Sequence, residues 1–202
     1  ITDVIISSVV PPVLVPLCHM CERYFKDKPM VVGQGTKIGL KLRYENPKEI
    51  GADRIVNAVA AYDKYADKNK PMIIIDFGTA TTFCALLPTG EYLGGAICPG
   101  IGISAEALFQ KTAKLPRIEL LPPKKAICGN TVSAMRAGIM YGYYGLIKEV
   151  VAQMKAELGG EAFVIATGGF ANTMTQGTDC IDVVDPMLTL EGLRIIFDKN
   201  KR

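Results

Sequence analysis

The chain has 202 residues, of which 49% are hydrophobic and 21% are charged, and its formal net charge is +3. This length suits one large domain or two small ones, and the slight positive charge, with no basic run, argues against nucleic-acid binding. The apolar stretches are too short to span a membrane, and the first residues lack the basic start and cleavage site of a signal peptide. We therefore expect a globular protein with neither a nucleic-acid nor a membrane partner.

The six cysteines are scattered along the sequence. With no secretion signal, this scatter favours reduced thiols and a cytoplasmic location. Cys18 and Cys21 form a Cys-x-x-Cys pair that encloses the only histidine, His19. A zinc site would need a second ligand pair, and a redox pair would need to open a helix after a strand. These two chemistries stand as alternatives to a helix face with buried thiols.

The first third of the sequence predicts alternating strands and helices. It begins without an initiator Met, in a segment typical of a strand, so we expect further residues to precede it. The apolar patterns and the Pro and Gly punctuation predict four elements: a strand over 4–10, a helix over 13–25, a strand over 29–32 and a helix over 50–65. A polar segment then ends at Pro71, which indicates a domain junction.

Beyond Pro71 the predicted order is strand, strand, strand, helix, helix, strand, strand, helix. The strands are predicted over 72–76, 82–87, 91–97, 162–166 and 180–184, and the helices over 102–113, 131–158 and 188–197. This order resembles an RNase H-like domain, and such domains occur in pairs in the actin-like sugar kinase superfamily. We therefore predict an α/β fold of two such domains. Residues 1–69 would be the C-terminal part of the first domain, which is incomplete, and residues 70–202 the second.

The segment from Ile73 to Phe83 is the most informative motif. A β-branched apolar run ends in Asp76, and Gly78 and Thr79 follow with further threonines. A strand that fixes a carboxylate before a Gly and hydroxyl groups is one way to build a phosphate and metal site. No Gly-Lys-[Ser/Thr] follows, as a Walker loop requires, and no second and third Gly open a helix, as a Rossmann fingerprint requires. The alternative is a strand with a tight turn.

Ordered motifs along the whole chain identify a family resemblance. They are Ser7–Pro12, Gly39–Tyr44, Glu49–Asn57, Asp76–Thr82, Gly94–Gly100, Lys114–Pro116, Gly129–Val132, Ala137–Gly142 and Ala166–Phe170. In order and spacing the chain resembles type III pantothenate kinases. One family element has no match, a leading strand with an Asp-x-Gly-Asn-Thr phosphate loop. On this basis we expect about sixty residues to be missing at the N-terminal end, through fragmentation or true truncation.

The resemblance implies transfer of the γ-phosphoryl group of ATP to the primary hydroxyl of pantothenate, giving 4′-phosphopantothenate, the first step towards coenzyme A. It also implies Mg²⁺, a monovalent cation (K⁺ or NH₄⁺) and a cytoplasmic homodimer. Kinase activity is expected provided that the missing phosphate loop exists in the whole protein. The alternative is a non-catalytic pantothenate-binding or regulatory relative that lacks this loop.

The resemblance assigns pantothenate contacts to six residues: Tyr44, Gly51, Ala52, Asp53, Arg54 and Thr131. Asp53 would accept the hydroxyl proton, and Arg54 would pair with the substrate carboxylate through its guanidinium fork. The structural alternatives are a helix-start charge for Asp53, a surface ion pair for Arg54 and a core aromatic for Tyr44. For Thr131 the alternative is a helix N-cap, which the preceding Asn130 also suits.

The resemblance assigns ATP contacts to Thr79, Gly168 and Gly169, and the monovalent cation to Asp76. A hard carboxylate oxygen suits such a cation. The Gly168-Gly169 pair would let the backbone approach the adenosine, and the alternative for this pair is a tight turn.

Overall fold

The computed structural model describes residues 1–201 and divides them into two compact units. Unit 1 comprises Ile1–Asn69, Leu86–Gly94 and the segment from Met187 onward. Unit 2 comprises Lys70–Ala85 and Gly95–Pro186. The strands are β1 (Ile5–Ile6), β2 (Met30–Val31), β3 (Lys41–Leu42), β4 (Met72–Phe77), β5 (Ala80–Leu86), β6 (Glu91–Pro99), β7 (Phe163–Thr167) and β8 (Val183–Val184). The helices are α1 (Pro11–Tyr24), α2 (Ala52–Tyr65), α3 (Ile101–Lys111), α4 (Thr131–Glu157), α5 (Ala171–Thr175) and α6 (Leu188–Asn200).

Unit 1 is built around α2, which is buried on nearly all sides between Arg54 and Ala61, where only Ile55 is not fully buried. Helix α6 packs on α2, and the Thr189 hydroxyl donates to Asn57 Oδ1 at 2.7 Å, so the buried amide has a partner. β1 and β2 pair in parallel, with Ile5 opposite Met30. β3 pairs in parallel with the start of β6, with Leu42 opposite Tyr92. These contacts place the start of α2 and the start of β6 in one compact unit.

Unit 2 carries the larger sheet. β4, β7 and β8 lie side by side and parallel, and β5 is the neighbour of β4 on its other side. β4 reads Met-Ile-Ile-Ile-Asp-Phe, and all of its residues except the half-buried Asp76 are buried, as expected for a strand covered on both faces. The core beneath it includes Ile73, Ile75, Phe83, Met140 and Ile147.

The predicted mixed α/β fold is confirmed. The predicted order of strands and helices beyond Pro71 is observed except for the short helix α5 between β7 and β8, where no helix was predicted. Three strand predictions were too long. The strand expected over 4–10 covers only Ile5–Ile6, the one expected over 29–32 covers only Met30–Val31, and the one expected over 180–184 covers only Val183–Val184. Helix α1 begins earlier than predicted, at Pro11, because a proline in the first turn lacks an N–H that would need a partner.

The compact units and the predicted domains share a boundary after Asn69. Residues 86–94 and the segment from Met187, however, cluster with unit 1. Compactness does not test which segments fold independently, so the domains 1–69 and 70–202 stay a prediction.

None of the helices within residues 1–201 is long and apolar enough to cross a membrane. All six cysteines are free thiols. Cys21 and Cys84 are buried, and the other four are half-buried.

Candidate functional site

The turn Gly51–Arg54 opens helix α2. Gly51 is the N-cap residue and has no side chain that could cap the helix. The Asp53 carboxylate accepts one N–H of the first turn instead, that of Arg54, through Oδ1 at 2.9 Å. This carboxylate lies close over the turn, because a Cβ added at Gly51 would stand 2.4 Å from Asp53 Oδ1. Asp53 is half-buried and therefore keeps an accessible edge. The glycine thus makes room for a carboxylate held at the positive end of a helix.

Arg54 is buried, with 5% of its surface exposed. The surface ion pair considered as an alternative for Arg54 is therefore wrong. Its guanidinium carbon lies 5.9 Å from the centroid of the Tyr92 ring on β6. A cation in that position is attracted by the ring quadrupole.

Tyr44 follows β3 and joins the same group. Its ring centroid lies 6.4 Å from that of Tyr92 at an interplanar angle of 50°. Gly94 gives the ring its place, since a Cβ there would lie 3.1 Å from Tyr44 Cε2, and its φ of +115° disfavours other residues. Tyr44 is half-buried, so it is not a fully enclosed core aromatic. Unit 1 therefore brings together Tyr44, Arg54 and Tyr92 beside the Asp53 turn.

In unit 2, Asp76 and the Gly168 loop lie against each other. Asp76 stands at the end of β4 opposite Thr167 of β7, where parallel strands bring their carboxyl ends to one edge. A Cβ at Gly168 would lie 2.7 Å from Asp76 Oδ1 and equally close to the Phe77 backbone, and Gly168 has φ +92°. Both features require glycine at this position. Gly169, by contrast, has open space around it.

Thr79 lies in the exposed turn after β4. Its carbonyl accepts the Gly100 N–H at 3.1 Å, where α3 begins. A Cβ at Gly100 would lie 2.2 Å from the Thr79 carbonyl oxygen. The strand turn and the start of α3 are therefore fixed to each other through backbone.

The start of α4 shows which of two adjacent residues, Asn130 or Thr131, caps the helix, a choice that the sequence left open. Asn130 is the N-cap, and its Oδ1 accepts the Ser133 N–H at 2.9 Å. Thr131 is the first helical residue, and it is exposed. Thr131 is therefore not the N-cap, and its hydroxyl is accessible to a ligand.

Tyr143 of α4 ties two strands together beside this region. The Thr81 hydroxyl and the Tyr143 hydroxyl share a buried hydrogen bond, and Tyr143 donates to the Pro99 carbonyl at 2.9 Å. Burial raises the pKa of Tyr143, so the phenol stays neutral and keeps its proton for donation at neutral pH.

A sequence profile of type III pantothenate kinases matches residues 1–153. The chain belongs to the type III pantothenate kinase family. Among solved structures, the chain is similar to a conserved Campylobacter jejuni protein assigned to the Baf family of transcriptional activators, with 20% identity and a TM-score of 0.65. The match covers 99% of this chain and 84% of the other. At this identity the likeness shows the fold alone.

The Cys-x-x-Cys pair does not form a site of the kind that the two alternatives require. Cys18 and Cys21 lie inside α1 rather than at its start, and His19 is exposed. Among residues 1–201, no group of three or more His, Cys, Asp and Glu side chains is placed to hold a metal. The helix face with a buried thiol at Cys21 fits this placement.

Sequence reasoning missed three residues that contact or make room for candidate site residues: Tyr92 and Gly94 in unit 1, and Gly100 in unit 2. Tyr92 had only a partial signal, since successive side chains of a strand point to opposite faces and the polar Glu91 precedes it, but the apolar Leu93 after it breaks the alternation. Gly94 and Gly100 belong to matched motifs, but sequence does not show which atoms a side chain there would meet.

Proposed function

We propose that the protein is an ATP-dependent pantothenate kinase that forms 4′-phosphopantothenate. The observation that carries this proposal is the Gly51–Arg54 turn at the start of α2, where the Asp53 carboxylate accepts the Arg54 backbone N–H and the Arg54 side chain is buried. Membership of the type III pantothenate kinase family supports the substrate assignment. The proposal includes two RNase H-like domains of the actin-like kind, a cytoplasmic location and a homodimer.

Asp53 has the role of proton acceptor in this proposal. Phosphoryl transfer needs a group that takes the proton of the attacking hydroxyl, together with positioning and charge neutralisation. The accepted bond from the Arg54 N–H restrains the Asp53 carboxylate and leaves its other oxygen for the substrate hydroxyl. Arg54 pairs with the pantothenate carboxylate, Tyr44 forms a wall of the pocket, and Gly51 and Ala52 offer backbone contacts. The accessible Thr131 hydroxyl contacts pantothenate as a donor or acceptor.

Thr79, Gly168 and Gly169 hold ATP in this proposal. Thr79 is exposed and offers a hydroxyl to a phosphate, and the exposed Gly168-Gly169 loop lets the adenosine approach the backbone. Among the described residues, no cluster of three or more metal-ligating side chains surrounds Asp76. In this proposal Mg²⁺ is therefore bound mainly by the phosphates of ATP, and the monovalent cation by few protein oxygens. Mg²⁺ supplies neutralisation of phosphate charge when it is bound. Asp76 would hold K⁺ or NH₄⁺ near the phosphates.

The first test is Asp53→Asn in protein expressed from its complete reading frame. Loss of a general base lowers turnover by about 10²–10⁴-fold, and the thermal unfolding midpoint should stay close to that of the parent. Asp63→Asn is the matched control, because Asp63 lies exposed on the same helix. Radiolabelled transfer from ATP to pantothenate measures both. Normal turnover in Asp53→Asn would remove Asp53 from the chemistry, and pantothenate binding without transfer by the parent protein would indicate a non-catalytic relative.

The second test concerns the cation. Transfer should require K⁺ or NH₄⁺ and be weak in Na⁺ alone, because a site formed by few oxygens selects on ion size and hydration. Asp76→Ala should raise the KM for ATP far more than the KM for pantothenate. Equal rates in the three salts would leave Asp76 with a structural role only.

A further inference from the structure

Tyr92 is a fully buried aromatic that lies close to two of the proposed substrate contacts, Arg54 and Tyr44. Its exposed fraction is 0%, although it belongs to the short stretch of β6 that pairs with β3. The Arg54 guanidinium carbon lies 5.9 Å from the centroid of the Tyr92 ring, and the centroid of the Tyr44 ring lies 6.4 Å from that of Tyr92. Neither the motifs nor the family resemblance gives Tyr92 a role.

We propose that Tyr92 is a positioning residue for recognition of the substrate carboxylate, acting through Arg54 and Tyr44. This inference rests on the proposed pantothenate kinase function. Tyr92 does not touch the reacting atoms in this assignment. It sets where the buried guanidinium and the neighbouring ring stand before substrate arrives.

The contact with Arg54 suits that task physically. A guanidinium within about 6 Å of an aromatic centroid gains roughly 0.5 to 2 kcal/mol, most where water is excluded. A cation–π contact acts through the face of the ring and does not itself occupy an N–H donor, so it is compatible with a guanidinium that also pairs with a carboxylate. A side chain that is already held in place loses less conformational freedom when substrate binds.

Strand register brings Tyr44 to the same ring. Leu42 pairs with Tyr92, and the Arg43 N–H donates to the Tyr92 carbonyl at 2.8 Å, so Tyr44 follows directly beyond the paired residues. Gly94, two residues after Tyr92, leaves the space that the Tyr44 ring occupies. The buried Tyr92 ring is therefore in contact with both the Arg54 cation and the Tyr44 ring, the proposed wall of the pocket.

The test compares ring chemistry at constant shape. Replacing Tyr92 by phenylalanine, and then by mono-, di- and trifluorophenylalanine through nonsense suppression, weakens the ring quadrupole stepwise with little change in volume. The KM for pantothenate should rise with each fluorine, to a total of about two- to thirtyfold, the range that a cation–π contact covers. Turnover should stay within about twofold of the phenylalanine variant, since the reacting groups are unchanged.

Two further variants separate positioning from packing. Tyr92→Leu removes the ring and should raise the pantothenate KM by a similar factor, and Tyr92→Phe should restore it, because the ring face remains. In an Arg54→Met background the fluorine series should leave KM unchanged, since the cation that senses the ring is absent. The fluorinated proteins keep the test decisive even when Tyr92→Leu fails to fold.

A flat KM across the fluorine series, or an equal rise in the Arg54→Met background, would overturn the positioning role and leave Tyr92 a packing residue. These results are read only against a parent protein that phosphorylates pantothenate. A parent that binds no pantothenate would count against the proposed function itself, and hence against this inference, and the parent assay identifies that outcome before any variant is made.

Discussion

The two units hold their candidate site residues in different ways. In unit 1, Asp53, Arg54 and Tyr44 are held through side-chain contacts. The Asp53 carboxylate accepts a backbone N–H, and the Arg54 and Tyr44 side chains lie near the Tyr92 ring. In unit 2, Asp76 and Thr79 are held by backbone that approaches closely at Gly168 and Gly100. A side chain can rotate away from an added methyl group, whereas packed backbone must shift as a body. The same substitution, glycine to alanine, should therefore damage activity in unit 1 and stability in unit 2.

Gly168→Ala should give the largest effect in this comparison. Its Cβ would stand 2.7 Å from Asp76 Oδ1 and from two Phe77 backbone atoms, at a φ of +92°. The positive φ alone costs about 1–2 kcal/mol, and with the steric overlap we expect a loss of about 2–4 kcal/mol in the free energy of unfolding, measured by urea titration. Gly169→Ala, with nothing within 4 Å of its added Cβ, is the control and should change it by less than about 1 kcal/mol. Equal stability of the two variants would show that the Gly168 loop can shift to accommodate the added methyl group at little cost in free energy.

Gly51→Ala should show the opposite behaviour. The added methyl group would meet only the end of the Asp53 side chain and Val9 Cγ1, at 2.4 Å and 3.4 Å, and φ at Gly51 is −57°. The carboxylate would rotate away, and a misplacement of about 1 Å lowers turnover by roughly ten- to hundredfold. Unfolding stability should fall by no more than about 1 kcal/mol, the difference between Gly and Ala at an N-cap. Steady-state kinetics and urea unfolding on one preparation measure both.

Gly33→Ala, in a loop of the same unit with open space around it, is the control for Gly51→Ala. If Gly51→Ala proved fully active, the Asp53 carboxylate would not need the position that it holds over the turn.

Tyr143→Phe should give the smallest effect and sharpens the account of unit 2. Deleting the hydroxyl leaves the buried Thr81 hydroxyl and the Pro99 carbonyl without this partner. We expect a loss of about 1–2 kcal/mol in the free energy of unfolding by thermal or urea denaturation. Tyr141→Phe, exposed on the same helix, should change it by less than about 0.5 kcal/mol. Indistinguishable variants would mean that water replaces the lost hydroxyl at no cost.

Elements with strong local signals were predictable from the sequence. Helix α2 was expected over 50–65 and is observed over Ala52–Tyr65, because its apolar residues repeat at helical spacing. Strand β4 was expected over 72–76, and its continuous β-branched run is typical of a strand buried on both faces. The long helix α4 ends at Glu157, just before Gly159-Gly160, where glycine favours a helix end.

The short elements were not predictable, because they depend on partners distant in sequence. β3 has two residues and exists through pairing with Glu91 and Tyr92, and nothing in Lys41-Leu42 alone indicates a strand. The segment before Pro11 reads as a strand over seven residues, yet only the two residues that face Met30 and Val31 pair. Tertiary context decides such cases.

For the site, the sequence identified residue types but not their surroundings. It could not show that Arg54 is buried against Tyr92, that Asp53 lies over Gly51, or that Asn130 caps α4 and leaves Thr131 accessible. Each of these depends on side-chain directions that are fixed only when strands and helices pack. The roles of the site residues in catalysis stay predictions that the substitutions above test.

The free thiols provide a way to observe motion in each unit. Cys21 lies in unit 1 and Cys84 in unit 2, with 1% and 2% of their surfaces exposed. A buried thiol reacts with an alkylating reagent only during transient opening, so its labelling rate reports the free energy of that opening. Mass spectrometry of the two cysteine-containing peptides would therefore measure the local opening of each unit separately in one sample. Slower labelling of Cys84 upon addition of nucleotide, with the rate at Cys21 unchanged, would show that the nucleotide restrains unit 2 alone.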